Sequence, residues 1–163
     1  MHQICLLAED TIPYLLHFKE MCGLLQRMTS PVSIEESCAM CSVRTSLDHN
    51  AGAIIVLSAS GDSARLVSKY RPRCPILMVS RNPSASRDSH LCRGVYPLVY
   101  DGPRGERGKW KEDLDRRVRW AIAKGQELGM LEEGNTVIVS YKNIVQVVNN
   151  ADSKAMLMGE KEK

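Results

Sequence analysis

The densest chemistry in the sequence is the run Ser58-Ala59-Ser60-Gly61-Asp62-Ser63, with three hydroxyls among small residues. An apolar strand precedes it and a helical segment follows. A turn that leaves a strand end and enters a helix aims its amides at one spot, with the positive end of the helix dipole behind them. That geometry suits a phosphate or a carboxylate. A plainer role stands beside this one, in which Ser60 and Ser63 only cap the helix. Other reactive groups are less organised. Cys38 and Cys41 form a C-x-x-C, but inside a helical pattern with no strand before it, and no second Cys pair or clustered His completes a zinc site. His90 reads as a packing or surface residue, and Lys69, Arg71 and Arg73 as a solvated basic edge. Arg81, Arg87 and Arg93 read as ion-pair partners of the loops. All six cysteines (Cys5, Cys22, Cys38, Cys41, Cys74, Cys92) sit in apolar segments and are expected to be reduced, mostly buried thiols.

The elements that position the turn follow from pattern. Residues 53–57 and 75–79 are runs of Ile, Val and Leu without alternation, which marks strands covered on both faces, as in parallel sheets. Between them the chain turns at 58–62 and forms a short helix to residue 70. Upstream, Ile4, Leu7, Ala8, Ile12, Leu15, Leu16 and Met21 recur at helical spacing over 2–28, interrupted at Pro13. No cap precedes this helix, which reads as the continuation of a missing segment. Ser33 with Glu36 makes a capping box that opens a helix to about residue 48. Downstream come a short helix from Pro83 to Cys92, closed by Gly94, and a strand over 95–100. A polar, glycine-rich loop over 101–108 is expected to be exposed and mobile. An amphipathic helix over 110–128 follows, with Leu114, Val118, Ala121 and Ile122 facing inward. Strands over 136–141 and 144–148 complete the order, with a frayed polar tail after Asn149. Strand and helix alternation predicts an α/β domain with a mostly parallel sheet between helices.

Composition narrows the function. At 163 residues the chain can bury the core of one domain, and 44% hydrophobic with 25% charged residues is a soluble globular balance. A net charge of +3 argues against nucleic acid or an anionic membrane as partner. Two Trp, five Tyr and one Phe supply no base-stacking platform. No apolar run reaches the length of a membrane span, and the N-terminus lacks a basic signal-peptide start, so the cytoplasm is the expected compartment.

Four segments in order carry a resemblance: SGDSARLVSKYRPRCPI (60–76), SRNPSASRDSHLCRG (80–94), the helix from Trp110 with Asp115-Arg116-Arg117-Val118, and GNTVIV (134–139). Together they resemble the C-terminal domain of pyruvate kinase, over roughly residues 1–140. Met1, Ile4 and Glu9 fit the helix by which the family's chain leaves its barrel. The resemblance implies a three-layer α/β/α sandwich with a mostly parallel sheet of about five strands. It divides the chain into a helix out of a missing barrel (1–28), the α/β domain (29–150) and a polar tail (151–163). In the family this domain regulates and assembles a tetramer, while phosphotransfer with magnesium, potassium and ADP takes place in the barrel or under a lid domain. None of the barrel is in this sequence, so the resemblance implies no cofactor here and no pyruvate made by the chain alone.

In relatives activated by fructose bisphosphate, three pieces hold the sugar's phosphates. The turn falls on Ser58, Ser60, Gly61, Asp62 and Ser63. The helix Arg with its nearby Trp falls on Arg117 and Trp110, seven residues apart and on one helical face. The third piece, a glycine-rich loop, is replaced after Val139 by SYKNIVQVVNNADSK, so the covering loop is expected to be absent or rebuilt. Asp62 stands where the family has Arg or Lys. Two unit charges about 5 Å apart at an effective dielectric of about 20 repel by roughly 3 kcal/mol. Sugar bisphosphate control is therefore expected to be lost or weak.

The expected partners are pyruvate kinase subunits or a second copy of the chain. A second reading makes the chain a free-standing, non-catalytic relative that joins such oligomers or binds a phosphorylated metabolite. A third reading, a C-x-x-C redox protein, is disfavoured by the helical setting of Cys38 and Cys41. Removal of the barrel would expose Leu6, Leu7, Leu15 and Leu16 of the first helix as an apolar patch.

Overall fold

The computed structural model describes residues 2–9, 11–29, 31–104 and 109–149. The chain runs α1 (His2–Glu9), α2 (Tyr14–Met28), α3 (Ile34–Asp48), β1 (Ala53–Leu57), α4 (Asp62–Lys69), β2 (Ile76–Ser80), α5 (Pro83–Ser89), β3 (Val95–Val99), α6 (Trp110–Glu127), β4 (Thr136–Tyr141) and β5 (Ile144–Asn149). The five strands form one sheet in the order β3-β2-β1-β4-β5. The β1–β2, β2–β3 and β1–β4 pairs are parallel, and only the closing β4–β5 hairpin is antiparallel. This is the α/β fold with a mostly parallel sheet that the sequence predicts.

The apolar runs explain the layering. Residues of β1 and β2 alternate between two cores, so every position is buried and none needs to be polar. Ile54, Val56, Ile76, Met78 and Ile138 point into a core closed by Phe18 of α2, Val43 of α3 and Val67 of α4. Ile55, Leu57, Leu77, Val79, Val137 and Val139 point the other way, under Leu114, Val118, Ala121 and Ile122 of α6. The predicted inward face of α6 is the buried one. Gly125 lets α6 close down on the sheet, since a Cβ there would lie 2.8 Å from Leu131 and 2.9 Å from Leu77.

Local signals set the helix ends. The Ser33 hydroxyl accepts the Glu36 amide at 3.2 Å, a cap that contributes about 1 kcal/mol. Asn82 caps α5 in the same way, with Pro83 in its first turn. Pro13 breaks the first helix rather than bending it: α1 stops at Glu9, and α2 restarts at Tyr14. Between them the Thr11 and Ile12 amides bond back to Ala8 and Glu9. α2 then packs Phe18, Met21, Cys22 and Leu25 on the core while Leu15, Leu16, Leu24 and Met28 stay exposed. Leu7 of the expected patch is exposed as well; the Leu6 side chain lies outside the described residues.

Three expectations need correction. Four cysteines (Cys22, Cys38, Cys74, Cys92) are only partly buried and Cys41 is exposed; Cys22 on α2 and Cys74 and Cys92 in the connections before β2 and after α5 pack at the core's margin rather than within it. Burial still pushes the Cys74 thiol up to about 11. Second, α5 ends at Ser89, three residues early, because its last turn tightens as the His90 amide bonds to Arg87 and the Cys92 amide to Ser89. Third, Lys69 is exposed as expected of a basic edge but carries an ion pair. Its ammonium lies 2.8 Å from Glu36, which also accepts the Tyr70 hydroxyl. Residues 105–108 of the glycine-rich loop and the tail over 151–163 fall outside the described residues.

Glu36 therefore ties α3 to the end of α4. Burial opposes its charge, but Lys69 and Tyr70 outweigh that penalty, and the carboxyl titrates below its usual range. The buried Tyr70 phenol is pushed well above its own, by burial first and by Glu36 second. A lowered carboxyl stabilises the fold above the unfolded value of about 4.3 and loses that contribution as pH falls. A raised phenol stabilises below about 10 and loses its contribution as pH rises. Urea denaturation across pH should show both losses. Glu36→Gln should remove the acid-side loss and lower stability at pH 7 by about 2 kcal/mol.

Candidate functional site

Strand order locates the site. From β1 the chain crosses to β2 and β3 on one side, then returns over α6 to β4 on the other. β1 and β4 thus flank the point where the topology reverses, with Leu57 beside Tyr141 at their carboxyl ends. In open α/β sheets the crevice outside these strand ends is where ligands bind. A cavity of about 510 Å³ opens there. Leu57, Ser58, Ala59, Ser60 and Ser63 form one wall. Arg81 after β2, Arg104, Arg117 of α6, and Tyr141 and Lys142 at the end of β4 form the rest.

The turn is built on Gly61, which adopts φ +92° and whose amide donates to the Ser58 hydroxyl at 3.0 Å. A Cβ at Gly61 would meet the Ser89 hydroxyl at 2.7 Å, so both the backbone angle and the space demand glycine. Gly61, not Ser60 or Ser63, is the N-cap residue of α4, and no side chain caps the helix. Two of the serines are engaged locally all the same: Ser58 accepts the Gly61 amide, and Ser60 accepts the Asp62 amide at 3.4 Å. Asp62 does not line the cavity. Its carboxylate accepts the Ser60 hydroxyl at 2.7 Å, lies 3.8 Å from Arg65, and its side chain is 69% exposed.

Of the residues expected to act, Ser58, Ser60, Ser63 and Arg117 line the cavity and Gly61 shapes its turn. Trp110 is 56% exposed. It stacks on Tyr141, with ring centroids 6.5 Å apart and planes at 21°. Arg81, Arg104, Tyr141 and Lys142 were not among the expected site residues. Lys142 follows the end of β4, which flanks the site, and Arg81 follows the end of the neighbouring β2, a signal that becomes readable once strand order is known.

The cations are partly committed within the protein. Asp113 of α6, buried at the cavity's back, receives Arg81 in a two-pronged contact at 2.9 and 3.2 Å, and Arg117 at 3.0 Å. Asp113 holds the Arg81 charge more firmly than usual. Arg81 also donates to the Pro103 carbonyl at 2.8 Å and lies over the Tyr100 ring at 5.1 Å, while its Nε is buried without a hydrogen-bond partner among the described residues. Elsewhere Arg93 pairs with Glu9 at 3.0 Å, and Arg87 donates to the Ser84 hydroxyl. Arg71, Arg73 and His90 are exposed. Among the described residues no group of three or more His, Cys, Asp or Glu is placed to hold a metal ion, and no helix is long and apolar enough to cross a membrane. Serine hydroxyls, turn amides and guanidinium groups around one cavity bind oxyanions.

Removing the buried carboxylate strands two cations that it orients. Asp113→Ala should lower stability by about 3 kcal/mol in urea denaturation at pH 7, whereas an exposed control such as Asp62→Ala should change it by less than about 1 kcal/mol.

Comparisons with known proteins agree with this architecture. The family model described as pyruvate kinase, alpha/beta domain, matches residues 36–153. Pyruvate kinase of Hypocrea jecorina is 58% identical over 141 residues, covering 85% of this chain and 26% of that protein. The Candida albicans enzyme is 46% identical over 156 residues, covering 91% and 30%. That of Schizosaccharomyces pombe is 40% identical over 139 residues, covering 85% and 26%. The chain spans under a third of the length of these relatives. By family match and by fold, it belongs to the pyruvate kinase family, as that family's alpha/beta domain.

Proposed function

We propose that this chain is the C-terminal regulatory and assembly domain of a pyruvate kinase, working in the cytoplasm within a longer enzyme that passes the phosphoryl group of phosphoenolpyruvate to ADP. By itself the chain is inactive; magnesium and potassium belong to the barrel of the whole enzyme. Its own role is to bind a phosphorylated effector at the β1–β4 crevice and to join other pyruvate kinase subunits or a second copy. The observation that carries this reading is the cavity where the Ser58–Ser63 turn faces Arg81, Arg104, Arg117 and Lys142. The exposed apolar faces of α1 and α2 support the assembly role, since Leu7, Leu15, Leu16, Leu24 and Met28 leave a stripe for a neighbour to cover.

The site is a weakened form of a sugar bisphosphate site. Asp113 shares out the charge of Arg81 and Arg117, and Asp62 draws away the Ser60 hydroxyl. The hairpin turn between β4 and β5 is only Lys142 and Asn143, too short to fold over a ligand. Asp62 is well exposed, so water screens its charge and the penalty is smaller than the unscreened figure above.

Calorimetric titration with fructose 1,6-bisphosphate tests the site. Binding should be weak in the original chain and about tenfold tighter in Asp62→Arg, which frees Ser60 and reverses the charge beside the turn. Equal affinities would show that Asp62 plays no part in the weakness. Coupled assay of the chain with phosphoenolpyruvate, ADP, magnesium and potassium should yield no pyruvate; turnover above background would overturn the assignment as a non-catalytic domain.

A further inference from the structure

Cys38 and Cys41 form a pair that neither the core nor the proposed function uses. They lie three residues apart beyond the first turn of α3, so their side chains leave one face of the helix from adjacent turns. Cys38 is half-buried at the rim of a cavity of about 280 Å³ between α3, α4 and the β4–β5 turn, and Cys41 is exposed. The Cys41 sulfur meets the Thr45 hydroxyl at 4.0 Å, a weak contact. Cys22, Cys74 and Cys92, by contrast, pack against the core. We propose that Cys38 and Cys41 together form a two-coordinate site for a soft monovalent cation, Cu(I) being the ion it fits. On binding, each thiol releases its proton, two sulfur–metal bonds form, and the oxidation states of copper and sulfur are unchanged. The site stands on α3 and is independent of the anion-binding crevice.

Helix geometry favours a bridging ion over a disulfide. Residues three apart on a helix hold their Cβ atoms about 5–6 Å apart, whereas a disulfide needs about 3.5–4.5 Å. Closing that gap requires the backbone to move, and α3 is pinned on both sides of the pair. The Ser33 hydroxyl accepts the Glu36 amide, the His49 amide donates to the Thr45 carbonyl, and the Ser42 hydroxyl adds a 2.8 Å bond to the Cys38 carbonyl. An ion between the sulfurs makes up the difference with the helix unchanged, since each metal–thiolate bond adds about 2.3 Å.

Ligand type and number select the ion. Thiolates prefer Cu(I) and other soft ions to magnesium, calcium or manganese. A structural zinc ion takes four ligands, and among the described residues no group of three or more His, Cys, Asp or Glu is placed to hold a metal. Two sulfurs alone suit an ion that accepts linear coordination. Burial, Cys41 and Glu35 each raise the Cys38 thiol above its usual range, so the empty pair holds its protons at neutral pH. A cation between the sulfurs removes the repulsion that keeps them protonated. The complex retains one negative charge, which Lys142, lining the same cavity as Cys38, is placed to offset. Glu35 lines that cavity too, but it is exposed and water screens it.

Anaerobic transfer of Cu(I) from bicinchoninate to the reduced full chain tests the site. The chain should take up Cu(I), show the near-ultraviolet absorption of a Cu(I) thiolate, and keep the ion against excess zinc. Cys38→Ser and Cys41→Ser should each weaken binding by about a hundredfold or more, since even a ligand's outer partner is worth about ten- to a hundredfold. Cys22→Ser should leave the affinity unchanged, and thermal melting checks that all three variants fold. Failure of the original chain to bind Cu(I), full affinity in either Cys38→Ser or Cys41→Ser, or displacement of the ion by zinc would overturn the inference. So would peptide mapping that finds a Cys38–Cys41 disulfide after mild oxidation of the folded chain, because the helix would then have closed the gap that reserves the pair for an ion.

Discussion

Parallel pairing of β1 with β4 is the constraint from which the rest of the domain follows. Leu57 and Tyr141 end side by side, yet β1 leaves through α4 toward β2 on one side while β4 leaves through a two-residue hairpin to β5 on the other. The two exits diverge, so a crevice is left between them. The turn after Leu57 must then bend sharply, which selects Gly61 at φ +92°, and the hydroxyls of Ser58, Ser60 and Ser63 are carried to the rim. The site is thus a consequence of the sheet's order as much as of the residues that line it.

Asp113 shows how the site and the fold share one set of charges. Partly buried cations need a counter-charge, and Asp113 supplies it to both Arg81 and Arg117. The same contacts fix the two guanidinium groups near the cavity before any ligand arrives, which lowers the entropy lost on binding. They also reduce the field a ligand meets. A site held together this way is ordered but moderate in attraction.

Most of the fold was legible because it is written in the chain's local pattern. Unbroken apolar runs at β1 and β2, the Ser33 cap and the inward face of α6 all follow from burial and hydrogen-bond satisfaction within short windows. The residue types of 58–63 also announced a turn between β1 and α4, and its serines line one cavity with Arg117. Arg81, Arg104, Tyr141 and Lys142 were not legible, because what brings them together is strand order, and sequence periodicity reports strands without their neighbours. The pairing of Lys69 and Tyr70 with Glu36 was hidden for the same reason: more than thirty residues separate the partners. Partial exposure of Cys22, Cys74 and Cys92 was missed because apolar neighbours in sequence do not say whether a side chain lies within a core or at its margin.

The β4–β5 hairpin is where local rule and function diverge. A two-residue turn with positive φ at its first corner calls for glycine, and the chain has Lys142 instead. A non-glycine residue in the left-handed region costs of order 1 kcal/mol, and nothing in the core requires a long cation there. Glycine would relieve the strain but remove a charge from the wall of the β1–β4 crevice, which Lys142 lines. The short, strained turn therefore keeps an ammonium beside the Ser58–Ser63 turn at a position where local backbone preference alone would have placed none.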